Sequence, residues 1–309
     1  MRQRQAIFVV VLVALASAGD AAHAQAWVGD TGALDLSLDY NLGISSKVVC
    51  DDTCLGDSDE FPDGGTTTHQ FTIGAEYVPI RALAVNLSVP IAMLKYTGDK
   101  TMYPHAGGGT YDDGDLHTTL TDLRAGVRYQ ILDEPIALAP HLAFSIPLAD
   151  YETVGNTVAG RHLKMVHAGL GVGTILGDAA YIHLLYEFTL AEKYDRTEDT
   201  AKHSQNRSDL AFTIGYKLLD YRLDIHADAN VRRTHGGVNF SEFASGSLSA
   251  DEIMYHDAIL DEDLLLAGGG VGYQLTNALN LSLSARLFLS GANTQNASVF
   301  ALGLEYSPL

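Results

Sequence analysis

The chain has 309 residues and a formal net charge of −19. So acidic a protein is no partner for the phosphate backbone of nucleic acid. Beyond the first residues, no stretch offers the roughly 18 consecutive apolar residues that a membrane-spanning helix needs.

Arg2 and Arg4 precede an apolar run over residues 6–16, and small residues follow up to Ala22-His23-Ala24. This is the layout of a cleavable secretory signal, so residues 1–24 are set aside and residues 25–309 are read as one domain. Export would place the two cysteines, Cys50 and Cys54, in an oxidising compartment. One disulfide within a loop is the plain expectation, and a small metal or thiol site the alternative.

Period-two alternation then dominates. In residues 34–42 the apolar Leu34, Leu36, Leu38, Tyr40 and Leu42 alternate with Asp35, Ser37, Asp39 and Asn41, which gives a strand one greasy and one polar face. The same pattern recurs in 71–77, with Glu76 on the polar side, and in 83–91. Residues 122–130 set Leu123, Ala125, Val127 and Tyr129 against Asp122, Arg124 and Arg128. Those charges suit neither lipid nor a dry core. Residues 136–148 and 166–176 place His141 and His167 opposite their apolar faces. Residues 180–190, 210–218 and 223–231 put His183, Glu187, Lys217, Asp224, His226 and Asp228 on the polar side, flanked by Asp209 and Arg222. Residues 265–275, 279–289 and 300–306, with Arg286 and Glu305, complete about twelve strands, each near the ~9–11 residues that cross hydrocarbon at a tilt.

Connections alternate in length. Short turns carrying Pro, Gly, Asp or Asn fall at 78–81, 132–135, 176–179, 219–220 and 275–278. Longer polar loops fall at 44–66, 97–117, 149–163, 191–206 and 234–261, with a short one at 292–296. An even strand count with alternating short and long connections predicts an all-β, transmembrane antiparallel β-barrel. It is an up-and-down meander with short periplasmic turns and long extracellular loops. Hydrocarbon satisfies no backbone N–H or C=O, so only a closed sheet can cross it.

The polar face then lines a lumen wider than side chains alone fill. Its predicted lining is Asp35, Asp39, Glu76, Asp122, Glu187, Asp209, Asp224, Asp228 and Glu305 against Arg124, Arg128, Lys217, Arg222, Arg232 and Arg286. Ladders of these charges either shape a constriction or simply fill space. His141, His167, His183 and His226 are read as polar lining, and no metal or cofactor is expected. No His and Ser stand two apart on one strand, and His141 and Ser145 are too far apart to hydrogen-bond directly, so no catalytic residue is assigned. Gly169, Gly171, Gly173, Gly268, Gly270 and Gly272 leave room inside the barrel or let strands bend. Tyr40, Tyr77, Tyr129, Tyr216, Tyr273 and Tyr306 form interfacial girdles, or reflect ordinary strand composition. Phe300, Leu302, Leu304 and Tyr306 offer the barrel-insertion machinery an alternating signal, though Ser307-Pro308-Leu309 follows in place of a terminal aromatic.

Residues 121–129, Thr-Asp-Leu-Arg-Ala-Gly-Val-Arg-Tyr, resemble the Asp-Leu-Arg-x-Gly-x-Arg-Tyr strand of a group of outer-membrane proteins. That group is linked to the meta-pathway of phenol degradation and is distantly similar to long-chain fatty-acid transporters of the outer membrane. Leu87-Ser88-Val89-Pro90 and Phe144-Ser145-Ile146-Pro147-Leu148-Ala149-Asp150 are similar to its strand-end Ser-x-Pro signatures. The resemblance implies a channel or uptake protein for small aromatic or apolar molecules. No N-terminal plug is expected, because the first strand begins soon after the cleavage site.

The expectation is therefore an outer-membrane channel for small solutes, without enzymatic activity, whose acidic loops favour cations and divalent-ion bridges to lipopolysaccharide. A non-transporting barrel with ligand- or surface-binding loops is the alternative, and an outer-membrane lipid hydrolase stands third.

Overall fold

The computed structural model describes residues 26–50, 60–61, 65–98 and 111–308; the expected signal and Cys54 lie outside them. Cys50 is buried and carries no free thiol. The strands are β1 (Leu34–Ile44), β2 (Thr66–Ile80), β3 (Leu83–Tyr96), β4 (Leu116–Leu120 and Asp122–Tyr129, interrupted at Thr121), β5 (Ile136–Pro147) and β6 (Met165–Leu176). They continue as β7 (Ala180–Ala191), β8 (Arg207–Leu218), β9 (Leu223–Thr234), β10 (Asp263–Thr276), β11 (Leu279–Ala292) and β12 (Ser298–Tyr306). Each pairs antiparallel with its sequence neighbours. The sheet closes where β1 meets β12, from Leu36 opposite Tyr306 to Ile44 opposite Ser298.

Closure leaves the barrel strands no free edge, which is what a hydrocarbon surround demands. It also turns the usual protein inside out. Leu38, Ile73, Leu87, Leu142, Ile214, Val271, Leu283 and Leu302 are all exposed on the outer wall, while Asp39, Glu187, Asp228 and Arg286 are buried within. β2 has 15 residues and β3, β10 and β11 have 14 each, more than the membrane requires. Their long-loop ends carry those loops.

The tyrosines sort differently from the expectation of two girdles. Tyr77, Tyr129, Tyr216, Tyr273 and Tyr306 are exposed near the short-turn ends of β2, β4, β8, β10 and β12, and so form one belt at that interface. Tyr40 lies apart, farther along the outer wall, stacked on His69 and tilted against Phe71.

The loops depart most from a solvated fringe. Leu163, Met165, Tyr194, Val238, Ala258, Ile259 and Leu260 form a buried apolar cluster over the mouth. Three short helices in the β9–β10 loop contribute to this lid: α1 (Phe240–Ser245), α2 (Ala250–Met254) and α3 (His256–Ile259). A capping box starts α2, with Ser249 and Glu252 satisfying each other's backbone N–H. A second cluster joins Tyr151 and Ala159 of the β5–β6 loop to Ala92 and Leu94 of β3. A small sheet of residues Val48–Val49, Glu60–Phe61 and Thr294–Gln295 ties the first loop to the last.

The outward face makes a direct prediction. Leu283→Arg, in the middle of β11, should cost about 2–4 kcal/mol in a refolding titration into lipid vesicles. An unaffected midpoint would mean that this wall does not meet hydrocarbon.

Candidate functional site: the barrel lumen

The lumen is divided into three spaces. A chamber of about 750 Å³ opens toward the short turns, lined in part by Lys217, Asp224, His226, Asp228, His183, Arg286 and Tyr181. A middle space of about 160 Å³ is bounded by Asp35, Asp39, Glu76, Arg124, Arg128, His141, Glu187 and Glu305. A chamber of about 80 Å³ lies under the lid beside Asp122, and Asp209 adjoins it through Arg207 and Arg232. The structure therefore puts the sequence-assigned charges on the inner face. Arg222 is the exception to the strand assignment. It belongs to the β8–β9 turn, where it donates to the carbonyls of Gln274 and Leu275 at the chamber rim, because that turn runs over residues 219–222 and not two positions.

Glu187 is the hub of the middle space. Arg124 grips it with two parallel bonds, Nη1 to Oε1 at 3.2 Å and Nη2 to Oε2 at 2.6 Å, the fork geometry that guanidinium and carboxylate share. His141 Nε2 meets Oε2 at 2.8 Å, and His167 Nδ1 lies 3.1 Å from Oε1. Glu187 also stands directly opposite Asp209 in the β7–β8 register. Two carboxylates so placed repel, and the surrounding cations offset that repulsion. Beside the hub, Arg128 Nη2 donates to Glu76 Oε1 at 2.6 Å.

These pairs reach across intervening strands, and glycine makes that possible. His141, Gly169 and Glu187 are successive partners on β5, β6 and β7. A Cβ on Gly169 would strike the His141 ring and the Tyr186 carbonyl. Asp228, Gly268 and Arg286 repeat the arrangement on β9, β10 and β11, and Arg286 Nε donates to Asp228 over the gap. Gly270 clears space for His226, whose Nε2 a Cβ there would meet at 2.8 Å. The inward glycines are spacers that let second-neighbour strands exchange charge.

One arrangement resembles hydrolytic machinery. Ser145 Oγ lies 2.8 Å from His167 Nε2, and the other ring nitrogen faces Glu187. The contacts follow the order nucleophile, base and carboxylate. However, Ser145 and His167 are buried, Thr189 shares His167 Nδ1 at 3.0 Å, and Arg124 and His141 already engage Glu187. The trio braces three strands and presents no accessible nucleophile. Sequence spacing missed it because Ser145 and His167 sit on different strands and meet only through their register.

The N-terminal segment also differs from expectation. Ala26 is fully buried, Trp27 packs where a Cβ on Gly173 would meet its ring at 2.6 Å, and the Val28 N–H donates to Gln130 Oε1 at 2.8 Å. This segment enters the short-turn end of the lumen and narrows the large chamber. Its brevity hid it from pattern reading.

The fold and lumen define an outer-membrane β-barrel of the porin-like class. No family model and no curated protein matches the chain. Among solved structures it is similar to an outer membrane channel from Pseudomonas putida F1, at 12% identity and a TM-score of 0.68, covering 91% of this chain and 97% of that one. It is also similar to the beta domain of the Bordetella autotransporter BrkA, at 14% identity and a TM-score of 0.52, covering 90% and 100% of the two chains. At these identities the likeness is one of fold.

Glu187→Ala would leave Arg124, His141 and His167 facing one another without their anion. The refolded barrel should lose about 3–5 kcal/mol in urea titration. A loss below about 1 kcal/mol would show that the hub is solvated and structurally idle.

Proposed function

We propose that this protein is an outer-membrane channel for small solutes whose passage is set by the lumenal charge ladder. The observation that carries this reading is a closed barrel with a polar interior holding about 750 Å³ of space on the short-turn side, more than packing requires. Small aromatic or apolar compounds fit the Trp27 and Tyr181 surfaces of that chamber, in keeping with the sequence resemblance. Ser145, the hydroxyl bonded to His167, is buried, which favours passage over catalysis.

The outer-membrane setting draws support from the outward groups near the long-loop end. Lys95 and Arg233 are exposed there, Arg233 faces Asp263 at 3.8 Å, and Lys164 faces Glu192 at 3.5 Å. Mixed charges at that level suit the phosphates and bridging divalent ions of lipopolysaccharide. The packed lid favours a second reading, a barrel whose loops form a binding surface and whose lumen stays shut.

Planar-bilayer recording separates the two. The channel reading expects unitary currents from refolded protein, and larger ones when Arg124→Ala and Glu187→Ala together remove the side chains that cross the middle space. A barrel silent in both forms sinks the channel and leaves the surface-binding reading.

A further inference from the structure

The chamber under the lid holds charge that the mid-lumen ladder does not use. Three guanidiniums converge on it: Arg161 from the β5–β6 loop, Arg207 at the start of β8 and Arg232 near the end of β9. Two carboxylates touch them. Asp209 lies 3.1 Å from Arg207 Nε and 2.7 Å from Arg232 Nε, and Glu262 lies 3.7 Å from Arg232 Nη1 and 3.9 Å from Arg161 Nη2. The chamber wall has two further acids. Asp122 is occupied by the Tyr151 hydroxyl at 2.6 Å. Burial holds the Asp257 carboxyl well above the usual carboxylate range and so favours its neutral form.

Donor capacity is left over. Arg161 Nη1 is buried without a hydrogen bond, and Arg207 Nε faces Asp209 outside hydrogen-bonding geometry. Arg207 is itself only 5% exposed. Burial first, and then the neighbouring Arg207, push Arg161 down to about 10, which still leaves it charged at neutral pH. Guanidinium donors buried and unused are costly, and an oxyanion is the ligand whose geometry they fit.

The rest of the wall sets the size and character of that anion. Leu94, Met165 and Leu260 face the same space, and a volume of about 80 Å³ corresponds to roughly five to eight water-sized positions. A phosphate would meet apolar wall on one side, whereas a short alkyl chain matches it.

We propose that this chamber binds a short-chain monocarboxylate of propionate size, with its carboxylate on Arg161 and Arg207 and its alkyl end on Leu94, Met165 and Leu260. The site adds a second solute class to the aromatic or apolar compounds that fit the large chamber and rests on the channel reading for its purpose, although binding itself can be measured without transport. It also reverses the cation preference expected from net charge, because the acidic excess does not govern this chamber.

The test is calorimetric titration of the refolded full-length barrel in detergent with sodium propionate, its neutral isostere propionamide, and sodium chloride. Saturable propionate binding is expected, with propionamide at least tenfold weaker and no comparable signal from chloride. Arg161→Gln and Arg207→Gln should each weaken propionate at least tenfold. Arg161 lies in a loop, so its variant decides the matter if Arg207→Gln fails to fold, with heat-shifted gel mobility reporting the folded barrel. No saturable binding, equal binding of propionamide or chloride, or unchanged affinity in folded Arg161→Gln overturns the proposal. A silent barrel that binds propionate loses only the channel reading, and a conducting barrel that does not bind it loses only this site.

Discussion

Hydrocarbon accepts no unpaired backbone polar group, and that constraint shapes everything else in this chain. It forces twelve strands to close through the β1–β12 seam. Closure fixes two faces of opposite character, and period-two alternation sends most strand charges inward, with Lys95, Arg233 and Asp263 at the long-loop ends as exceptions. Inside, those charges sit where little water reaches and must neutralise one another. Strand neighbours alone do not suffice, since Glu187 stands beside Asp209. The remedy is to pair across a strand, and at the two tightest crossings the strand between carries glycine. Gly169 between His141 and Glu187, and Gly268 between Asp228 and Arg286, follow from that need.

Apolar packing of the ordinary kind survives only where the chain leaves the membrane. The strands put most of their leucines outside, and only near their long-loop ends do Leu94, Leu264 and Leu266 turn into small buried clusters. The loops do the reverse, burying Tyr194, Val238, Ile259 and Leu260 together over the mouth. The hydrophobic effect operates there because water surrounds the loops. One chain thus obeys two opposite patterning rules, and the boundary between them falls near the long-loop ends of the strands. The N-terminal Ala26 and Trp27 make a smaller closure at the other end, against Gly171 and Gly173.

The strands were legible because each carries its own signal. Alternation in residues 122–130 and a Pro- or Gly-bearing turn on either side of a hairpin are local properties, so register and count follow without knowledge of the whole. The lid was not legible in the same way. Val238, Phe240, Ile253, Tyr255, Ile259 and Leu260 make the 234–261 loop too apolar for a solvated fringe, yet their partners Leu163 and Tyr194 come from other loops. Arg161, Arg207 and Glu262 escaped notice because they flank strands or sit in loops, outside the alternating runs. Ser145 and His167 meet only through the offset between β5 and β6. The Tyr40 misassignment has the same root, since alternation gives the face of a strand and not the depth of a residue along it.

The charge inside is zoned, and zoning matters more for passage than the sum of −19. Toward the short turns, Asp35, Asp39, Glu76, Asp178, Glu187, Asp224, Asp228 and Glu305 outnumber Arg124, Arg128, Lys217, Arg222 and Arg286 along the two lower spaces. Toward the lid, Arg161, Arg207 and Arg232 gather in a space a tenth as large. Charge is densest in that chamber of about 80 Å³, where Arg161, Arg207 and Arg232 stand among Asp122, Asp257 and Glu262 and Asp209 is paired with two of them, and interactions there are stronger than between charges spread over solvated loops. Net charge, the most visible property of the sequence, therefore says least about how charge is arranged inside the lumen.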